Sequence, residues 1–133
     1  MKKVLTVGVF DFFHLGHLNV LKQAKEYGDY LIVAVHDDKQ NSKGVKFLYS
    51  LDERIQMIES LRIVDKVIVY ERVDQIVKTI EFDVFVHGPD QNHVYFQEAI
   101  KWCNENNKIV RTTKRTEGIS STKLRKILSY KDI

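Results

Sequence analysis

Five short runs, rich in Val and Ile and apolar on both faces, alternate along the chain with amphipathic segments. The runs are Val4–Val9, Tyr30–Val35, Lys66–Val69, Val84–His87 and Ile109–Arg111. A strand without a polar face must be covered on both sides, which is the situation of a parallel sheet between helices. Helical patterns fill the intervals at His17–Tyr27, Leu51–Leu61, Gln75–Ile80, Phe96–Glu105 and Ser121–Leu128. This alternation predicts an α/β fold, a doubly wound, Rossmann-like parallel sheet with right-handed crossovers. The 133 residues suffice for one domain, 1–133, with a substantial core. Gly28 is expected to cap the first helix at its C-terminus. Ser50 and Glu53 have the spacing of a capping box at the start of the second.

In such a sheet, ligands bind beyond the carboxyl ends of the strands. The polar residues of this chain concentrate there: Phe10-Asp11, His36-Asp37-Asp38, Tyr70-Glu71-Arg72, His87-Gly88-Pro89-Asp90 and Thr112-Thr113-Lys114. The densest case is Gly8-Val9-Phe10-Asp11-Phe12-Phe13-His14-Leu15-Gly16-His17, between the first strand and the first helix. A helix start offers unbonded N–H groups and partial positive charge. Two imidazoles added there suit phosphoryl oxygens. A zinc site would need a third ligand, and His36, His87 and His93 belong to other elements. Asp37–Tyr49 is the longest segment without a predicted element, a candidate lid.

The formal charge of +3 is mild, and no basic stripe or interleaved aromatic platform argues for nucleic acid. The single cysteine, Cys103, has no disulfide or metal partner and is expected to serve packing. The sequence shows no signal peptide, membrane span or lipidation pattern, and a cytoplasmic setting is expected.

Gly-x-Phe-Asp followed by His14-Leu15-Gly16-His17 resembles the HxGH nucleotidyltransferase superfamily. Arg115-Thr116-Glu117-Gly118-Ile119-Ser120-Ser121-Thr122-Lys123 is similar to a segment of its small bacterial cytidylyltransferases, those of the glycerol-3-phosphate type above all. The two matches nearly open and close the chain. The resemblance implies an enzyme that transfers CMP from CTP to a phosphorylated small molecule, with magnesium, as a homodimer, for cell-wall, capsule or lipid precursors.

The same resemblance distributes roles. His14 and His17 would contact the triphosphate and the charge developing at the α-phosphorus. Gly8, Val9 and Phe10 would wrap the nucleotide with backbone atoms, and Gly16 would permit close approach. Asp11 would hold magnesium or order the loop, and both readings stand. Lys46, with Lys43 as a rival, would bind phosphate, and Arg54 and Arg62 would flank the acceptor's phosphate and the nucleotide. Arg115, Gly118, Ile119, Ser120, Ser121 and Thr122 would cradle the β- and γ-phosphates at a last helix start, Arg115 adding charge as pyrophosphate leaves.

Three positions depart from the family pattern. Val9 replaces a threonine, Leu15 an aromatic residue, and Pro89 the first aspartate of Gly-Asp-Asp, while Gly88 and Asp90 are retained at the nucleotide. Gln91 and Asn92 then add amides that could read another acceptor. Glycerol 3-phosphate leads as acceptor, with phosphoethanolamine or a phosphorylated sugar alcohol as others. Adenylyl transfer of the FAD synthetase kind and a non-catalytic nucleotide-binding module are the competing functions.

Overall fold

Every strand pairing in the sheet is parallel, in the spatial order β3-β2-β1-β4-β5. The computed structural model describes residues 1–37 and 47–116. Within them the chain runs β1 (Lys3–Gly8), α1 (Leu15–Lys25), β2 (Tyr30–His36), α2 (Leu51–Glu59), β3 (Lys66–Tyr70), α3 (Val73–Ile76), β4 (Val84–His87), α4 (Val94–Glu105) and β5 (Ile109–Thr112). The chain moves outward from β1 to β3, then crosses to β4 on the other side of β1. That reversal leaves a crevice at the carboxyl ends of β1 and β4, where a ligand site is expected in this topology.

Side-chain alternation along the strands sends neighbours to opposite faces and builds two cores. Leu5, Val7, Ile32, Ala34 and Phe85 point to one face, where Val73 and Val77 at α3 and Phe96, Ala99 and Cys103 of α4 cover them. Val4, Leu31, Val33, Val35, Val84 and Val86 point to the other, under Leu21 and Ala24 of α1 and Ile58 of α2. The expected doubly wound architecture is therefore present. Cys103 is fully buried, and burial pushes its thiol pKa up to about 11, as suits an inert packing residue.

Several local expectations need correction. The first helix starts at Leu15, not His17, because His14 is its N-cap. The helix ends at Lys25, with Glu26 as C-cap, so Gly28 is not the cap. Gly28 is demanded by packing instead: a Cβ there would come within 2.6 Å of the Lys2 carbonyl oxygen. The third helix covers Val73–Ile76 rather than Gln75–Ile80; Arg72 holds the N-cap position and the carboxylate of Asp74 faces it from the first turn. Helix α4 begins two residues before Phe96. The Ser50–Glu53 box is present as expected, Glu53 N–H donating to Ser50 Oγ and Ser50 N–H to Glu53 Oε1. The helix expected at Ser121–Leu128 lies outside the described residues.

Candidate active site at the carboxyl edge of the sheet

The turn from β1 to α1 carries two residues in the left-handed backbone region, Phe10 (φ 58°) and Phe12 (φ 49°). Non-glycine residues adopt that region only where the surroundings enforce it. Here the Phe10 ring folds back over Gly8, where a Cβ would meet it at 2.8 Å. Gly8 thus makes room for Phe10, whose ring is buried in the core under α1. Phe10 and Phe13 then frame His17, one edge-on with ring centroids 5.6 Å apart and the other stacked at 5.5 Å. His14 stacks on the same ring at 3.9 Å.

The two imidazoles cap α1 reciprocally. Gly16 N–H donates to His14 Nδ1 at 3.0 Å, and His14 N–H donates to His17 Nδ1 at 3.2 Å. A ring nitrogen that accepts carries no proton, so each neutral ring holds its proton on Nε2. Burial keeps the pKa of His14 below the usual histidine value. It is neutral at pH 7, an Nε2–H donor fixed in orientation by its own helix.

Asp11 is 2% exposed. Its oxygens accept from the backbone N–H groups of Leu48 (2.8 Å) and Tyr49 (3.0 Å). Of the two readings left open for it, these contacts are those of a loop clasp. Among the described residues no group of three or more His, Cys, Asp or Glu could hold a metal ion.

Arg54 has no accessible surface. Its Nη1 donates to the carbonyls of Val9 (3.0 Å) and His36 (2.8 Å), its Nε donates to Tyr49 O (3.2 Å), and the guanidinium lies 4.8 Å from the Phe47 ring centroid. One side chain thus ties together the ends of β1 and β2 and the start of α2. Arg62 is exposed, after α2 and before β3, at the amino end of that strand. In an all-parallel sheet this is the end opposite the histidines, so within one chain Arg62 does not join them.

The helix that follows the first motif is tied to the start of the second. Gln23 of α1 accepts from Lys114 N–H (2.8 Å) and donates to Lys114 O (3.2 Å), while Asn19 Nδ2 donates to Thr116 Oγ1 (2.9 Å). Arg115, held between those anchors, reaches Asp90 after β4 at 3.5 Å, an exposed and weak pair. Asn19 and Gln23 were not singled out from sequence. Polar residues on the exposed face of a helix look like ordinary surface until their distant partner is known.

Gln91 holds the loop that follows β4. Its Oε1 accepts from Gly88 N–H (2.8 Å) and its Nε2 donates to Val7 O (2.9 Å), clipping the loop after β4 to β1. Its amide thereby positions Gly88. Lys43, Lys46, Gly118, Ile119, Ser120, Ser121 and Thr122 lie outside the described residues.

A parallel sheet in this strand order, with phosphate-type donors at the β1–α1 turn and across the crevice from β4, defines a nucleotide-binding α/β enzyme. The Cytidylyltransferase-like family model matches residues 5–127. The chain is 38% identical to a glycerol-3-phosphate cytidylyltransferase of Staphylococcus aureus, an alignment covering 99% of this chain and 98% of that one. It is 40% identical to an FAD synthase of Thermococcus sibiricus over 82% of this chain and 78% of the relative. Among solved structures, a lipopolysaccharide core biosynthesis protein from Thermoplasma volcanium superposes with a TM-score of 0.75 at 27% identity, covering 88% of this chain and 99% of that one. The protein belongs to the cytidylyltransferase-like family and is a nucleotidyltransferase. No helix among the described residues is long and apolar enough to cross a membrane.

Proposed function

We propose that the protein transfers CMP from CTP to a small phosphorylated metabolite, glycerol 3-phosphate first among candidates, and releases pyrophosphate. The observation that carries this reading is the reciprocal cap of His14 and His17, which fixes two Nε2–H groups at the start of α1. An oxygen of the acceptor's phosphate forms the new bond to the α-phosphorus. The bond from that phosphorus to the bridging oxygen of the β-phosphate breaks, and the electron pair leaves with pyrophosphate. The nucleophile is already an anion, so the protein need only align the groups and stabilise charge. His14 and His17 donate to α-phosphoryl oxygens, and Arg115 neutralises the departing pyrophosphate. Gly8, Val9, Phe10, Gly16, Gly88 and Asp90 line the nucleotide, and Gly118, Ile119, Ser120, Ser121 and Thr122 complete its phosphate cradle. Lys46 reaches phosphate from the segment before Phe47.

A homodimer in a reducing cytoplasm belongs to the same reading. Adenylyl transfer is the second reading, favoured by the identity to an FAD synthase over most of both chains. Pyrophosphate release measured with CTP and ATP, each against phosphorylated acceptors and FMN, separates the two. Turnover with CTP and glycerol 3-phosphate is the expected result. Turnover with ATP and FMN alone would replace it, and nucleotide binding with no release would leave a non-catalytic module.

A further inference from the structure

The sheet hands the chain over to α1 between Thr113 and Lys114. Thr113, just past β5, still follows the sheet: its N–H donates to His87 O of β4 at 2.9 Å. Lys114 turns to the helix. Its N–H donates to Gln23 Oε1 at 2.8 Å, and its carbonyl accepts from Gln23 Nε2 at 3.2 Å. One carboxamide thus meets both backbone groups of one residue, as a residue of a neighbouring antiparallel strand would. Two positions further, Thr116 Oγ1 accepts from Asn19 Nδ2 at 2.9 Å. β5 is the edge of the sheet, so no further strand directs this segment.

Gly16, Asn19 and Gln23 follow one another at helical spacing and share one face of α1. Gly16 N–H is the group that donates to His14 Nδ1. Asn19 therefore lies about 4.5 Å along the helix axis from the capped residue. The seat of Lys114–Thr116 continues directly from the histidine end of the helix. Arg115 stands between the two anchors. Its side chain is 61% exposed and reaches Asp90, itself 72% exposed, at 3.5 Å, a contact of little strength. The place of Arg115 is therefore set from its backbone, by the anchored residues on either side. A guanidinium carried on a fixed backbone loses less freedom when it meets a ligand.

Resting on the cytidylyl-transfer reading, in which Arg115 meets the departing pyrophosphate, we propose that Asn19 and Gln23 are positioning residues that act on the nucleotide through Arg115. They dock Lys114–Thr116 on α1 and so hold Arg115 at a fixed reach from the two imidazoles. Neither amide touches the nucleotide. One helix then organises both ends of the triphosphate: its start aims the Nε2–H groups at the α-phosphate, and its Gly16–Asn19–Gln23 face seats the guanidinium for the phosphates that leave.

Calorimetric titration of CTP, and separately of ATP, into the whole protein tests this through a double-mutant cycle between Gln23→Met and Arg115→Ala. Methionine keeps the length of the side chain and removes both hydrogen bonds. Gln23→Met should weaken CTP binding roughly two- to tenfold, the scale of ordering one long side chain. In Arg115→Ala protein it should cost nothing further, whereas damage to α1 itself would weaken binding in either background. Asn19→Ala, the anchor on the other side of Arg115, should behave likewise, and it decides the matter should Gln23→Met fail to fold. Wild-type affinity in both single variants, or an undiminished loss in Arg115→Ala protein, overturns the proposal and leaves the functional reading standing. A wild type that binds ATP and not CTP would correct the base, and the same cycle is then read with ATP. A wild type that binds neither triphosphate removes the functional reading and the proposal with it.

Discussion

Two helices of this protein open with a reciprocal side-chain cap, built from different chemistry. At α2, Ser50 and Glu53 exchange hydrogen bonds, and the box serves the helix alone. At α1, Gly16 N–H donates to His14 Nδ1 and His14 N–H to His17 Nδ1. An imidazole has a second nitrogen on the far side of its ring, so capping fixes the tautomer and aims Nε2–H elsewhere. A structural and a phosphate-binding role for these histidines are not alternatives. The cap is what orients the donors.

The largest effect expected on this contrast is catalytic. His17→Ala should lower the rate of pyrophosphate release about 100- to 1,000-fold, the usual loss for one transition-state donor. His14→Asn is the sharper test, because asparagine is a strong N-cap. It should keep wild-type stability in urea unfolding while still losing activity on that scale. Equal activity in His14→Asn would reduce the α1 box to the status of the α2 box.

Next comes Arg54. Truncation to Ala leaves three backbone carbonyls without their buried donor, each hydrogen bond to a charged group being worth roughly 1.5–3 kcal/mol. We expect about 3 kcal/mol or more of lost stability by urea unfolding, allowing for incomplete additivity. Ser50→Ala should cost about 1 kcal/mol, the ordinary value of an N-cap, with kcat unchanged.

The smallest effect is the pH dependence of the histidine box near neutrality. The folded-state pKa of His14 lies below its unfolded value near 6.5, with burial as the cause. Between those two values the unfolded chain binds the extra proton, so stability rises with pH across the window. The contribution is complete above about pH 6.5 and is lost as pH falls through the folded pKa. Unfolding midpoints from pH 7.5 down to 5 should fall more steeply in the wild type than in His14→Asn, while Ser50→Ala should keep the wild-type slope.

Some of the molecule was legible because its signals are local. Both-faced apolar runs mark covered parallel strands, and the sheet and its two cores follow. Ser50-x-x-Glu53 is a capping box within one turn. The HxGH segment announces itself by placing two histidines at a strand-to-helix turn. What the sequence did not reveal depended on distant partners. Asp11 and Arg54 carry charges suited to a ligand, yet they are buried against backbone groups of Leu48, Tyr49, Val9 and His36. Gln91 is occupied by Gly88 and Val7, and Gly28 by the approach of Lys2.

The sequence by itself determined the layered α/β architecture, the end of the sheet that holds the site and the family of the chemistry, because periodicity and short motifs are properties of neighbouring residues. Tertiary structure alone decided which polar residues face the crevice and which hold it together. A carboxylate or guanidinium is the same in sequence whether its partner is a substrate or a carbonyl 45 positions away. Folding assigns that partner, since burying a charge is tolerable only where the fold supplies hydrogen bonds to meet it.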